Sequence, residues 1–599
     1  MKSLLLLWNS IADDLAVRCR TSAHHDRKTV KDRSKNEGLS FLTITLPNFA
    51  KDFELSLERG FVGNDVFLSF KKNGSLPAFL QGFSSLVFDR KSGALLDDPS
   101  ICGIQAVRQL TLMFGKILID CSDDRNAAAF DEFVKCEKEV EEGIGTRDYS
   151  SFRRVRTLLF GTAFSKVDSD VYYGRLKPKH GPGATADRLV GNQKYHQVEW
   201  PMRLEPYFPF GEMVLPNWSF RDHMDEVDFL EPEAERPVRV ISVPKTMKTP
   251  RIIAIEPTAM QYTQQALLRS FRDAISGTIL DRYIGLDDQT PNQRLARLGS
   301  ELGELATLDL SEASDRVSSE SVSVLLADHR HFHDAAFACR STRAQLPGGD
   351  VISLAKFASM GSAMCFPMEA AVFLTAIFVG IEHDLGRYLT PRDVKSFVGR
   401  VRVFGDDIIV PVDHVRSVIE SLEYFGLKVN IRKSFWNGKF RESCGREYYD
   451  GTDVSLVRVR RLLPSSRKNV QEIISTVALR NQLFLAGFES AVDILDHRMR
   501  RILTHYPMVQ ESSPVLGSLS WSSVNLEAKM IHSIPKVKGW MVRPVIPFNE
   551  ISDWPALRKC LSSLEDRSGA DFVSSGDHLR RSGRPRVVDI KLGMGPVGV

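Results

Sequence analysis

Residues 401–410, VRVFGDDIIV, constrain this chain more than any other stretch. Two apolar, β-branched runs flank Gly405-Asp406-Asp407, a pattern that predicts a buried hairpin with both acids at its tip. An Asp pair alone carries little weight, because the chain has five, at 13–14, 97–98, 123–124, 287–288 and 406–407. The first four lie in polar stretches and read as solvated turns. Only the fifth sits between runs that favour burial, where its charge needs neutralising, and a divalent cation does that directly. An ordinary Asp-rich turn is the competing reading.

A matching carboxylate lies 97 residues upstream (406 − 309). Residues 305–308 (LATL) read as a short buried strand closed by Asp309 and followed by LSEASD. A mixed sheet would set this acid beside the hairpin tip. Three carboxylates converging from two strands suit hard cations with oxygen ligands, which for Mg²⁺ leave room for water and substrate phosphate. Two such ions, roughly 3.5–4 Å apart, activate an attacking hydroxyl and stabilise the leaving oxygen of a phosphoryl displacement. The alternative is that Asp309 only caps the next helix. Positive charge comes from Arg239, Lys245, Lys248 and Arg251, within thirteen residues that contain no acid. On a two-stranded ribbon these bases suit a triphosphate, although a lysine-blunted edge strand has the same composition.

Composition sets outer bounds. With 599 residues, 43% of them hydrophobic and 26% charged, the chain has material for several domains or one multi-lobed body. That excludes a wholly disordered, collagenous or coiled-coil chain. A net charge of +4, from 79 basic and 75 acidic residues, names no partner by itself. Eight cysteines without a C-x-x-C pair fit a reducing cytosol. The N-terminal MKSLLLLW has too short an apolar run for a signal peptide and reads as a docked helix. The apolar run 370–381 is too short to span a bilayer and reads as a buried core helix, so no membrane association is expected.

Along the chain, residues 20–37 read as a solvated loop or helix face. From 39 to 145, strand-like segments such as 65–70 (DVFLSF) alternate with helix-like ones such as 105–119. Residues 174–187 form a basic Gly/Pro loop, 237–255 a hairpin, and 258–275 a helix. Arg458, Arg460, Arg461, Arg467 and Lys468 form a second basic cluster, suited either to a nucleic-acid backbone or to a plain solvated face. Residues 566–599, rich in Gly, Ser and Arg, read as a mobile tail. The literal G-x-G-x-x-G at Gly593, Gly595 and Gly598 has no following helix to receive a phosphate.

Taken in chain order, these elements resemble the palm-type RNA-directed RNA polymerases, in particular the replicase catalytic subunit of the single-stranded RNA bacteriophages. The resemblance runs from about 181 to 459. It rests on GPGAT at 181–185, the basic segment 243–251 with AIEP at 254–257, DQT at 288–290, DLSEASD at 309–315, SMG at 359–361, FGDD at 404–407, and FRESCG at 440–445 with Tyr448-Tyr449. Departures are Phe404 where the family usually has Tyr, Ser362 where Asn is commoner, and Cys365 where Thr is commoner. The resemblance implies an α+β right-hand fold with an antiparallel palm sheet and a mainly helical thumb. Its expected parts are an N-terminal region and fingers over 1–180, further fingers with the ribbon where nucleotides enter over 181–300, palm over 301–450, and thumb over 451–565. It also implies template-directed RNA synthesis with two Mg²⁺ ions, or Mn²⁺ as a substitute, held by Asp309 and Asp406 with Asp407 in a secondary role. Lys245, Lys248 and Arg251 would hold the triphosphate, while Ser314, Asp315, Ser359, Gly361 and Ser362 would lie near the ribose. Lys433 falls where the family's candidate general acid lies, although a surface lysine after a strand reads the same way. The implied partners are RNA template and product, nucleoside triphosphates, host elongation factors Tu and Ts, and a small-subunit ribosomal protein, in the cytoplasm of a bacterial host.

Overall fold

The structure, a computed structural model, describes residues 1–522, 527–566 and 579–598. It mixes helices and sheets throughout. At its centre is a four-stranded antiparallel sheet in the order Arg402–Phe404, Asp407–Pro411, Leu305–Ser311, Lys428–Val429. Its inner strands are near-continuous apolar runs because both faces are covered: Ala306, Thr307, Leu308, Ile408, Ile409 and Val410 are all buried. Helices Thr290–Leu302, Cys365–Leu385 and Val415–Tyr424 pack around this sheet. Cys365–Leu385 has the length and apolarity to cross a membrane, but it lies inside the main core, as expected of a core helix.

The ribbon predicted over 237–255 forms from Val238–Val243 and Arg251–Ile255, paired antiparallel from Arg239↔Ile255 to Val243↔Arg251. Arg343–Gln345 and Val351–Ser353 extend it to four strands. Thr258–Ile275 follows at once as a helix.

The apolar core does not divide at residue 180. One cluster runs from Tyr149 to Val429, with Trp554 added. A second joins residues 4–117 to residues 435–495. The N-terminal helix Lys2–Arg18 therefore docks as expected, with Leu7, Trp8 and Ile11 fully buried, and its core neighbours include residues late in the chain.

Three expectations need correction. Residues 65–70 form no strand: Phe67 adopts φ +58°, its N–H donates to Asp52 Oδ2 (2.8 Å), and Val66 and Phe67 bury within turns while Leu68 stays exposed. The segment 451–565 is not mainly helical. It opens with helices Val470–Leu485 and Glu489–Leu503 and continues into a sheet built on the strand Ile534–Val545. The segment expected to be a mobile tail contains the strand Arg586–Pro596, which pairs with Ile534–Val545 along almost its whole length. Residues 567–578 of that expected tail lie outside the described residues.

Candidate active site

The hairpin and the Asp309 strand meet in register, with Asp407 directly opposite Asp309 and Ile408 opposite Leu308. Asp309 lies within the strand Leu305–Ser311 and caps no helix; the cap of the following helix, Ser319–Leu326, is Ser318. Gly405 and Asp406 form the two-residue turn between the paired Phe404 and Asp407. Gly405 has φ +57°, which such tight turns require at their first position. A Cβ there would come within 2.6 Å of the Phe366 ring.

Asp309 and Asp406 line one cleft of about 650 Å³ together with Lys245, Arg251 and Lys433. Ser314, Asp315, Gly361 and Ser362 also line it. Lys248, Ser359 and Asp407 do not. The Asp407 carboxylate instead accepts from Ser443 Oγ (3.4 Å), on the strand Phe440–Ser443. Burial pushes its pKa up to about 6, and the charges of Asp406 and Asp309 add to the rise.

The Asp309 carboxylate has two further partners. Asn430 Nδ2 donates at 3.0 Å, and Lys433 Nζ lies 3.1 Å from Oδ2. Burial raises the Asp309 pKa, while Lys433 and Asn430 work against the rise. Burial alone would lower the Lys433 pKa, but Asp309, Glu442 and Asp406 outweigh it and hold this ammonium above the usual lysine value. Lys245 goes the other way. Burial, then Arg251 and Lys433, lower its pKa despite Asp406 and Asp309.

The loop after Ser359 is pressed against the basic ribbon. Ala254 N–H donates to Met360 O (3.0 Å), and Gly361 has φ +134°, with no space for a Cβ beside the Ala254 carbonyl. Ser362 Oγ and Ala363 N–H both donate to Gln264 Oε1 at 3.1 Å, which ties the loop to the helix Thr258–Ile275. The Ser314 and Ser359 hydroxyls are buried without a hydrogen-bond partner among the described residues. Asp315 is ion-paired to the buried Lys356 (2.9 Å), which also reaches Glu137 (3.1 Å).

Several residues of the site carry no sequence signal of their own. Glu369 lines the cleft from the helix Cys365–Leu385; burial, then Asp406 and Asp315, push its carboxyl well above the usual range. Lys51, on the helix Leu46–Arg59, belongs to the same basic group. Burial, then Lys248, Lys433 and Arg432, depress its pKa. An acid inside the apolar 360s is the one hint the sequence offers for Glu369. Lys51 sits in an unremarkable amphipathic helix.

The donor set fits Mg²⁺ in kind but not as a closed cage. Among the described residues, no group of three or more His, Cys, Asp or Glu is gathered so as to hold an ion by itself. Two carboxylates opening into a broad cleft suit an ion that completes its shell with water and phosphate.

The family RNA replicase, beta-chain, matches residues 227–506. The chain is 36% identical over 237 residues to the RNA-directed RNA polymerase subunit beta of Enterobacteria phage SP, covering 40% of this chain and 38% of that one. It is 37% identical over 231 residues to the subunit of Escherichia virus Qbeta, covering 38% and 36%. With the RNA-directed RNA polymerase beta chain of Enterobacteria phage fr it shares 32% identity over 301 residues, covering 50% and 49%. The chain thus spans half or less of the length of each of these relatives. The solved RNA-dependent RNA polymerase of bacteriophage phi12 overlaps loosely, with TM-score 0.38 and 11% identity over 76% of each chain. The matched residues 227–506 carry the basic ribbon, the Asp309 strand and the Asp406 hairpin, so it is in the part of the chain that builds the cleft that it is similar to the RNA replicase beta-chain family.

Proposed function

We propose that the chain is an RNA-directed RNA polymerase that extends an RNA 3′ end on an RNA template, using nucleoside triphosphates and releasing pyrophosphate. The observation that carries this reading is that Asp309 and Asp406 share one cleft with Lys245, Arg251 and Lys433, so cation-binding acids face phosphate-binding bases. In this reading the central sheet is the palm, the ribbon of Val238–Val243 and Arg251–Ile255 belongs to the fingers, and the helices after 451 open the thumb.

Asp309 and Asp406 would hold the divalent ions, Mg²⁺ with Mn²⁺ as a substitute, with Asp407 stabilising the pair from behind. Such ions, when bound, supply activation of the 3′-hydroxyl and stabilisation of the leaving oxygen. The remaining work falls to the chain's own side chains. Lys245 and Arg251 offset the triphosphate charge at the cleft wall, and Lys248 adds field from outside it. Lys433 is placed to give a proton to the departing pyrophosphate. The Ser314 hydroxyl and the Gly361–Ser362 backbone at the cleft wall suit a ribose, whose 2′-OH both donates and accepts, with Ser359 supporting that loop from outside the cleft. The named relatives are beta subunits, so we place this chain in a multi-subunit replicase acting in the cytoplasm of a bacterial host. By family resemblance its other subunits would be elongation factors Tu and Ts and a small-subunit ribosomal protein.

The test is primer extension on an RNA template with Mg²⁺ and the co-purified subunits, comparing wild type with Asp406→Asn. Extension by wild type and its loss in the variant is the expected result. Equal extension by both, or preference for deoxynucleotides, overturns the reading.

A further inference from the structure

A second pocket, of about 150 Å³, shares no lining residue with the catalytic cleft. It lies between segment 187–201, the strand Asp228–Leu230 and the first turn of the helix Thr258–Ile275. Leu189, Pro201, Leu230 and Met260 make its walls largely apolar. Gln197 lines it, is only 3% exposed, and has no hydrogen-bond partner among the described residues at either Nε2 or Oε1. Leaving a buried polar group unsatisfied costs on the order of 1–3 kcal/mol, so an amide open at both ends needs a partner from outside the chain.

The chemistry of that partner follows from the surrounding groups. The charged side chains at the pocket are already engaged: Glu199 with Arg236 (3.0 Å), Glu235 with Arg203 (2.7 Å), and Asp187 with the Thr258 N–H (3.0 Å). An anionic ligand therefore finds no unpaired cation at the pocket, and an apolar one leaves the amide unmet. The volume lies below the roughly 300 Å³ at which sites for drug-sized molecules begin, so it suits one ring system. A flat heterocycle with a donor beside an acceptor meets all three conditions. A Gln side chain makes that double contact with the N6 amine and N7 of adenine. A base held by its edge between apolar walls is also how proteins capture a nucleobase taken out of a stack.

We infer that this pocket is a nucleobase site with adenine as its best occupant, filled either by a free nucleotide or by an unstacked base of an RNA strand. The site is separate from the catalytic one, and its occupancy requires neither metal nor turnover.

The test therefore runs on the full chain in EDTA. In the first arm, equilibrium dialysis with labelled adenosine should show one site per chain, and 7-deaza-adenosine, which lacks the N7 acceptor, should bind roughly tenfold or more weakly. In the second arm, a short RNA carrying 8-azidoadenosine should crosslink to peptides containing residues 187–201. Gln197→Leu, which removes the unmet amide at similar volume, should weaken either signal roughly tenfold or more without lowering the unfolding midpoint. Ala259→Phe, at the pocket wall, should abolish it by filling the space. Adenosine binding assigns a free nucleotide as the source, and crosslinking without adenosine binding assigns an RNA base. Absence of both signals in wild type, or their persistence in both variants, overturns the inference and leaves a water-filled pocket.

Discussion

Lys433 and Asp309 show how one contact serves two purposes. The lysine is 3.1 Å from a carboxylate that burial would otherwise push towards its neutral form, and it keeps an ammonium on the cleft wall. Charge balance and proton donation separate by substitution. Lys433→Arg keeps the charge but hardly gives up a proton, because guanidinium stays protonated. If Lys433 is a proton donor, Lys433→Arg and Lys433→Met both lose about 10²-fold or more in kcat, the usual contribution of general acid catalysis. Recovery to within a few-fold of wild type in the arginine variant alone would reduce Lys433 to a partner of Asp309. A second residue-scale effect involves a group that does not line the cleft. Asp26 is buried, accepts from Leu80 N–H (2.6 Å), and has its pKa pushed up to about 6 by burial. A raised carboxyl penalises the fold once it ionises. The penalty is absent below the unfolded value near 4, grows as pH rises, and is complete above about 6. Asp26→Asn keeps the acceptor and drops the charge, so at pH 7.5 it should stabilise by on the order of 2 kcal/mol. Urea midpoints measured at pH 7.5 and pH 4 should differ from wild type only at the higher pH, and a gap of equal size at both rejects titration of Asp26 as its cause.

At the scale of elements, two glycines set the geometry of the cleft, and the room around each decides how much substitution costs. A Cβ at Gly405 meets the edge of the Phe366 ring, which can rotate, so Gly405→Ala carries mainly the backbone penalty of about 1–2 kcal/mol. A Cβ at Gly361 meets the Ala254 carbonyl of the ribbon strand, which cannot rotate away, at a φ of +134° that is open essentially to glycine alone. Gly361→Ala should therefore displace the loop from the ribbon, lowering extension at saturating nucleotide more than Gly405→Ala does. Parallel kinetics and melting curves on the two variants check that order, and a milder Gly361→Ala would contradict the packing. The same contrast explains what could be read beforehand. The 402–411 hairpin, the Asp309 strand, the basic ribbon and the helix Thr258–Ile275 were legible because alternating or continuous apolar runs end at strong turn residues. The strand Arg586–Pro596 was not, because Gly593 and Gly595 look like loop composition. A Cβ at Gly595 would come within 2.5 Å of Val515, so the glycine serves close strand packing. Lys51 and Gln197 were silent and Glu369 gave a single hint, since only the tertiary fold brings Glu369 and Gln197 to cavities and Lys51 beside Lys248 and Lys433.

Across the whole molecule, a net charge of +4 conceals a separation of sign: acids meet in the central sheet while bases gather along the ribbon and beside Lys51. Stability shows a similar long-range organisation, since the N-terminal helices share their core with residues 435–495. Arg108 is the polar clasp of that union. It is 1% exposed and binds Glu54 (2.8 Å), Glu447 (2.9 Å) and the Val454 carbonyl (2.8 Å), while Arg458 closes the group on Glu447 at 2.8 Å. Burial already raises the Glu54 pKa, with Arg108 opposing the rise. Removing the guanidinium would strand buried acids, which costs more than the pair itself contributes, typically about 3–5 kcal/mol. Arg108→Met should therefore lower the urea midpoint sharply and expose segment 2–112 to limited proteolysis. Adding Glu54→Gln should recover part of that loss, because it removes one stranded charge. The deficit of Arg108→Met relative to wild type should also shrink as pH falls, since Glu54, raised further without its partner, takes up a proton and ceases to repel Glu447. A deficit that stays constant with pH, and that Glu54→Gln does not reduce, would mean that Arg108 holds the two parts of the chain together by packing alone.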